Sequence, residues 1–256
     1  MRCRDCRGAA GFSRRRRWRA LVCAAITVAS TPDTRAASIA SATRQSFRLL
    51  LSRPLADPLF RRLLLVFMLN GIAAAIPATL VLFFIADVLD AEARQGTFLA
   101  LYFIAGAAGM PLWVKLSARI GKPNAWLTAM FLAIAAFVWA SRLGTGDTMA
   151  FTLICALSGI ALGADLALPP SLLADVIGRR GRMEATGSYF GLWTLATKLN
   201  LALAAGIALP LLSALGYAPG GRDQAALSAL AFVYAFVPCV LKLAACAALV
   251  WFKRSQ

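Results

Sequence analysis

The sequence predicts an all-α membrane protein with six transmembrane helices, and three observations carry that prediction. Six long apolar runs fill the chain from about Leu63 to Phe252. The loops between them alternate between basic and nearly neutral. Hydrophobic residues make up 60% of the 256, far more than a soluble core would need. A hydrocarbon layer about 30 Å thick takes roughly 20 apolar residues at a helical rise of about 1.5 Å. The spans that meet this length are Leu63–Ala86, Thr97–Leu116, Ala125–Ser141, Met149–Val176, Gly187–Leu212 and Ala225–Phe252.

The first 45 residues differ from the rest of the chain. A basic cluster at Arg14–Arg19 precedes a short apolar stretch and then an Ala/Ser/Thr-rich segment. This region fits a disordered leader or a signal peptide. Cleavage near Ser30 would carry Arg61 and Arg62 across the membrane, against the bias of every later loop, so the leader reading is preferred. Residues 46–62 mix Arg48, Arg53, Arg61 and Arg62 with leucines, as an amphipathic segment lying along the cytoplasmic interface does. Residues 63–252 form the six-helix domain, and 253–256 a cytoplasmic tail.

Loop charge sets orientation. Arg61, Arg62, Lys115, Arg119, Lys122, Arg179, Arg180, Arg182, Lys253 and Arg254 fall at one set of helix ends. The other set has Arg94, Arg142 and Arg222 beside Asp87, Asp90, Glu92, Asp147 and Asp223. Basic residues stay inside during insertion, which puts both ends of the helical block in the cytoplasm. The net charge of +16 follows from this bias and the Arg-rich start, and no nucleic-acid partner is expected. With no histidine, no phosphate-binding Gly loop and no paired Cys motif beyond Cys3–Cys6, neither an enzyme, a metal site nor a bound cofactor is expected.

Charged residues within a bilayer are costly and mark function. Asp165 in the fourth span, Lys198 in the fifth and Lys242 in the sixth all lie about 15–16 Å from the cytoplasmic ends of their helices. Asp165 and Lys198, on consecutive helices, are expected to neutralise each other in part and face a polar cavity. The alternative is an ion pair that only locks the bundle. Lys242 would join the charge network or snorkel. Thr194 and Gly191 share the face of Lys198, within about 40° of it, and would line a ligand cavity. Asn70 in the first span is either packing glue or cavity lining, with Pro77 kinking the helix beyond it. Pro169 and Pro170 would interrupt the fourth span beside Asp165.

Between the second and third spans runs GMPLWVKLSARIGKPNAW (Gly109–Trp126), with Lys115, Arg119 and Lys122 around Gly121. It reads as a basic inside loop, and its spacing resembles the loop that braces the cytoplasmic gate of major facilitator transporters. Three further strings carry a more specific resemblance: NGIAAAIPATLVLFFIADVL (Asn70–Leu89), GADLALPPSLLADVI (Gly163–Ile177) and YFGLWTLATKLNLALAAGIALPLLSALGY (Tyr189–Tyr217). Together they resemble the C-terminal half of the glycoside–pentoside–hexuronide:cation symporters, the melibiose-carrier-like branch of the major facilitator superfamily, over Ser46 to Lys253. The resemblance implies a twelve-helix transporter of which this chain is one half. A sugar or related solute would sit between the halves, coupled to Na⁺ or H⁺, in the bacterial inner membrane. It carries a substrate-bordering lysine and threonine onto Lys198 and Thr194, and places Asp165 near the sugar. The chain departs from the family in reading GRRGRMEATG where an acidic stretch usually follows ADVI, leaving Glu184 as its one acid. The first six helices would come from a preceding segment, a second chain or a homodimer. The other expectation is a six-helix membrane fragment that transports nothing or binds a partner.

Overall fold

In a computed structural model of the chain, residues 54–179, 183–221 and 223–254 are described, all within one compact unit, Phe47–Gln256. The leader and most of the interfacial segment lie outside these residues. Asp57 caps the first helix by accepting the Leu59 N–H at 3.0 Å, and Pro58 sits where no N–H is needed. This is α1, Pro58–Phe83, and residues 58–62, expected to lie along the interface, are its first turns. A π-helical turn, Phe84–Val88, prolongs it. There follow α2 (Gln95–Ile120), α3 (Lys122–Ala140), α4 (Thr148–Arg179), α5 (Thr186–Ala214) and α6 (Gln224–Arg254). All six are long and apolar enough to cross a membrane.

The expected second loop is mostly helix. Helix α2 runs through Lys115 and Arg119 to Ile120, and the turn into α3 is Gly121 alone. Its φ of 85° lies where a side chain would be strained, which lets two helices meet in so short a link. Gly109 is therefore no loop residue. It is buried in α2 against α4, where a Cβ would lie 2.8 Å from the Ile160 carbonyl. Gly106, Gly159 and Gly163 complete this seam, and a Cβ on Gly163 would lie 2.6 Å from the Gly106 carbonyl and 2.8 Å from the Met110 nitrogen. Lipid supplies no hydrophobic drive between helices, so close backbone contact over small residues does the work. The expected interruption of α4 is also absent: the helix is continuous through Pro169 and Pro170. Those prolines leave the carbonyls of Asp165 and Leu166 without their usual donors, and packing on both sides holds the helix regardless.

Two apolar clusters fill the bundle. One joins Phe60, Leu63 and Val66 with Trp126, Leu172, Tyr189 and Phe252. The other joins Ile76, Leu80 and Phe84 with Phe137, Phe151, Leu230 and Tyr234. In α1 the buried positions Phe60, Leu63, Val66, Asn70, Ala73, Ile76 and Leu80 recur every three or four residues, one stripe running through both clusters. Asn70 lies at their boundary.

The helix ends separate as the loop charges require. At the basic end, Lys122 Nζ pairs with Asp175 Oδ2 at 2.6 Å, Lys253 Nζ donates to Asn124 Oδ1 at 2.9 Å, and the Arg62 guanidinium lies over the Trp251 ring. At the other end, the Tyr217 hydroxyl donates to Asp87 Oδ2, which also accepts the Gly220 N–H at 3.2 Å. Burial first, and then the neighbouring Asp87 carboxylate, push the Tyr217 phenol above its ordinary value. A raised phenol value means that the folded state holds this proton more tightly. Its contribution to stability is full below about pH 10, the ordinary phenol pKa, and is lost as pH rises beyond it.

Gly163→Val drives a side chain into α2 backbone and should destabilise the bundle by about 1–3 kcal/mol, whereas Gly191→Ala, with open space around it, should shift stability by less than about 0.5 kcal/mol. Thermal unfolding in detergent distinguishes the two. Taking the pH from about 8 to about 11 should lower the melting temperature of the natural chain more than that of Tyr217→Phe, which has no phenol to ionise.

Candidate functional site

The boundary between the apolar clusters is a polar layer built by four helices. Asp165 of α4 accepts two N–H groups on Oδ1, from Asn70 Nδ2 of α1 at 2.9 Å and from Trp126 Nε1 of α3 at 2.7 Å. Its Oδ2 faces Lys242 Nζ of α6 at 3.5 Å, and Lys242 donates to Asn70 Oδ1 at 2.7 Å. The layer is dry on one side and open on the other. The Lys242 side chain is 2% exposed, while that of Asp165 is 16% exposed. Both border a cavity of about 130 Å³ between α1, α2, α3, α4 and α6, whose walls are largely Ala, Leu, Phe and Pro with Tyr102 and Ser158 among them. In hydrocarbon a lone charge is untenable, and this arrangement gives each ion a counter-charge and hydrogen bonds.

The partner of Asp165 differs from the expected one. Lys198 was to neutralise it from α5, but α5 packs chiefly on α1, and Lys242 fills that role from α6. The reason is packing: α6 lies against both α1 and α3, the helices that carry the other two members of the layer. Lys242 is thus a buried network member and does not snorkel. Asn70 resolves towards inter-helix bonding, since it is 3% exposed, both atoms of its amide have protein partners, and it does not line the cavity. Trp126 is a member that sequence alone does not point to, because an indole flanking a basic loop reads as an interfacial anchor. A hint was available in its register, since the buried positions of α3 run Ala125, Trp126, Ala129, Met130 and Ala133.

Gly191, Thr194 and Lys198 do share one face of α5, as their spacing predicts, and all three are exposed. The Thr194 hydroxyl donates to the Phe190 carbonyl at 2.9 Å, which leaves its oxygen able to accept. Lys198 has no hydrogen bond or ion pair among the described residues. Of the expected gating residues, Lys122 holds Asp175, and Lys115 and Arg119 are exposed on the last turns of α2. Asn200, also on α5, is buried against Gly71. Its Nδ2 reaches the Phe67 carbonyl at 3.5 Å, and its Oδ1 has no partner among the described residues.

Six membrane-length helices around a mid-depth polar layer, with a second polar face left open, define a polytopic membrane protein organised about its centre. The sequence profile of the family described as MFS/sugar transport protein matches residues 20–255, so the chain belongs to that family. The match begins within the segment read as a leader. No curated protein matches the chain. Family membership makes it a membrane transport protein of the sugar-transporting class.

Trp126→Phe keeps the aromatic packing and removes one donor to a partly buried carboxylate. It should lower stability by about 1.5–3 kcal/mol, the worth of a hydrogen bond to a charged group, as read by denaturant or thermal unfolding in micelles.

Proposed function

We propose that the chain is the C-terminal half of a cation-coupled symporter of the melibiose-carrier-like branch, working by alternating access in the bacterial inner membrane with both ends of the helical block in the cytoplasm. The observation that carries the reading is the exposed strip of Gly191, Thr194 and Lys198 on α5. Lys198 lies twelve residues past Thr186, about 18 Å along the helix. An ammonium at that depth costs at least about 2.5–3.5 kcal/mol against lipid, so its face belongs to a polar cavity roofed by a second six-helix half. That half is a preceding segment, a separate chain or a second copy.

In this reading the sugar lies across the strip. Lys198 donates to sugar hydroxyls, Thr194 accepts from one, and Gly191 leaves room for the ring. Asp165 acts from the layer behind, setting the local charge, and Asn70 positions it. Na⁺ or H⁺ supplies the driving force. Opening at the basic end moves this half against the other, with Lys122–Asp175, a pair 34% and 41% exposed and therefore worth no more than about 1 kcal/mol, bracing α3 to α4 within it. Lys115, Arg119 and the Gly121 turn would accompany that movement, whereas Gly109 belongs to the rigid α2–α4 seam.

The test is gradient-driven uptake of a labelled galactoside into proteoliposomes carrying the chain with its second half. Lys198→Ala removes a charge-assisted hydrogen bond and should cut uptake about tenfold or more, with Thr194→Ala less severe. Undiminished uptake by Lys198→Ala would overturn this assignment. A chain that drives no uptake with any second half would point to a non-transporting, partner-binding protein.

A further inference from the structure

The polar layer holds more than a stray ion pair. Asn70 is oriented by its neighbours: only an amide with Oδ1 towards Lys242 and Nδ2 towards Asp165 matches acceptor to donor on both sides. The Asp165 carboxylate then has its Oδ1 filled by two neutral N–H groups, which leave its charge uncompensated. The ammonium of Lys242 supplies the compensation from a position bracketed by an amide oxygen at 2.7 Å and a carboxylate oxygen at 3.5 Å. A carboxylate and an amide oxygen around one buried positive charge are the hard-oxygen ligands that alkali cations take. The adjoining cavity of about 130 Å³ has space for several waters, at about 10–15 Å³ each, to complete a coordination shell.

We propose that Lys242 occupies, with its own tethered ammonium, a monovalent-cation site formed by Asn70 Oδ1 and the Asp165 carboxylate, and that a chain lacking this ammonium takes up a free monovalent cation there. The natural chain therefore carries its own counter-ion in this half, and any coupling cation binds elsewhere. The inference is independent of the role given to Lys198, because it is tested by stability and ion binding, neither of which measures transport.

Two measurements on the purified full chain test it. The first is thermal unfolding in detergent at constant ionic strength in choline, sodium or methylammonium chloride. Lys242→Ala should melt below the natural chain in choline and recover, saturably, in sodium or methylammonium. The natural chain and the charge-free double variant Asp165→Asn/Lys242→Met should not distinguish the three salts. Recovery in neither small cation, or an equal response from the double variant, overturns the proposal. Should Lys242→Ala not fold in choline, it is purified in sodium and exchanged, and unfolding on exchange is the expected loss. The second is equilibrium binding of radioactive sodium to Lys242→Gln, expected to hold one more ion per chain than the natural protein. Equal binding overturns the site.

Discussion

The structure turns on the cost of placing Asp165 in a low-dielectric interior. A carboxylate at mid-membrane depth requires a counter-charge and hydrogen-bond donors at the same level, and here they come from different helices. Lys242 brings the charge from α6, and Asn70 and Trp126 bring donors from α1 and α3. Four helices are thereby fixed in register to one another, because sliding α4 or α6 by a turn would part the ion pair and sliding α1 or α3 would remove a hydrogen bond to it. The apolar clusters above and below supply area and van der Waals contact, yet they are far more tolerant of such a slip than the layer between them.

Helix α2 is held by different means. It contributes no side chain to the ion pair, and binds α4 through the glycine seam at Gly106, Gly109, Gly159 and Gly163, reinforced by Trp113 donating to the Ile160 carbonyl at 2.7 Å. Helix α5 is the odd member. It rests on α1 through Trp193 stacked on Phe67 and Tyr189 against Phe60, and leaves its Lys198 face open.

The contacts at the two ends are of another kind. Lys122–Asp175 and Lys253–Asn124 are partly or fully exposed, so water competes for both partners and either contact parts at small cost. Tyr217–Asp87 at the far end ties the prolonged tail of α1 to the α5–α6 connection.

The six spans, their order and the basic end were legible in the chain because both hydrophobic length and loop charge are local properties, summed over contiguous residues. The depth of Asp165, Lys198 and Lys242 was legible for the same reason, since rise per residue converts position into height. The shared face of Gly191, Thr194 and Lys198 followed from helical periodicity. Which lysine meets Asp165 was not legible. Two lysines at one height differ only in which helix packs beside α4 and α1, and that depends on contacts between segments far apart in sequence. Trp126 was hidden likewise, as an indole at a loop boundary reads as an anchor until α3 is seen turned inward. Pro169 and Pro170 of α4 and Gly109 of α2 misled in the other direction. Locally they signal a break and a loop, and only the neighbouring helices, pressed close enough to make both serve packing, decided that these segments stay helical.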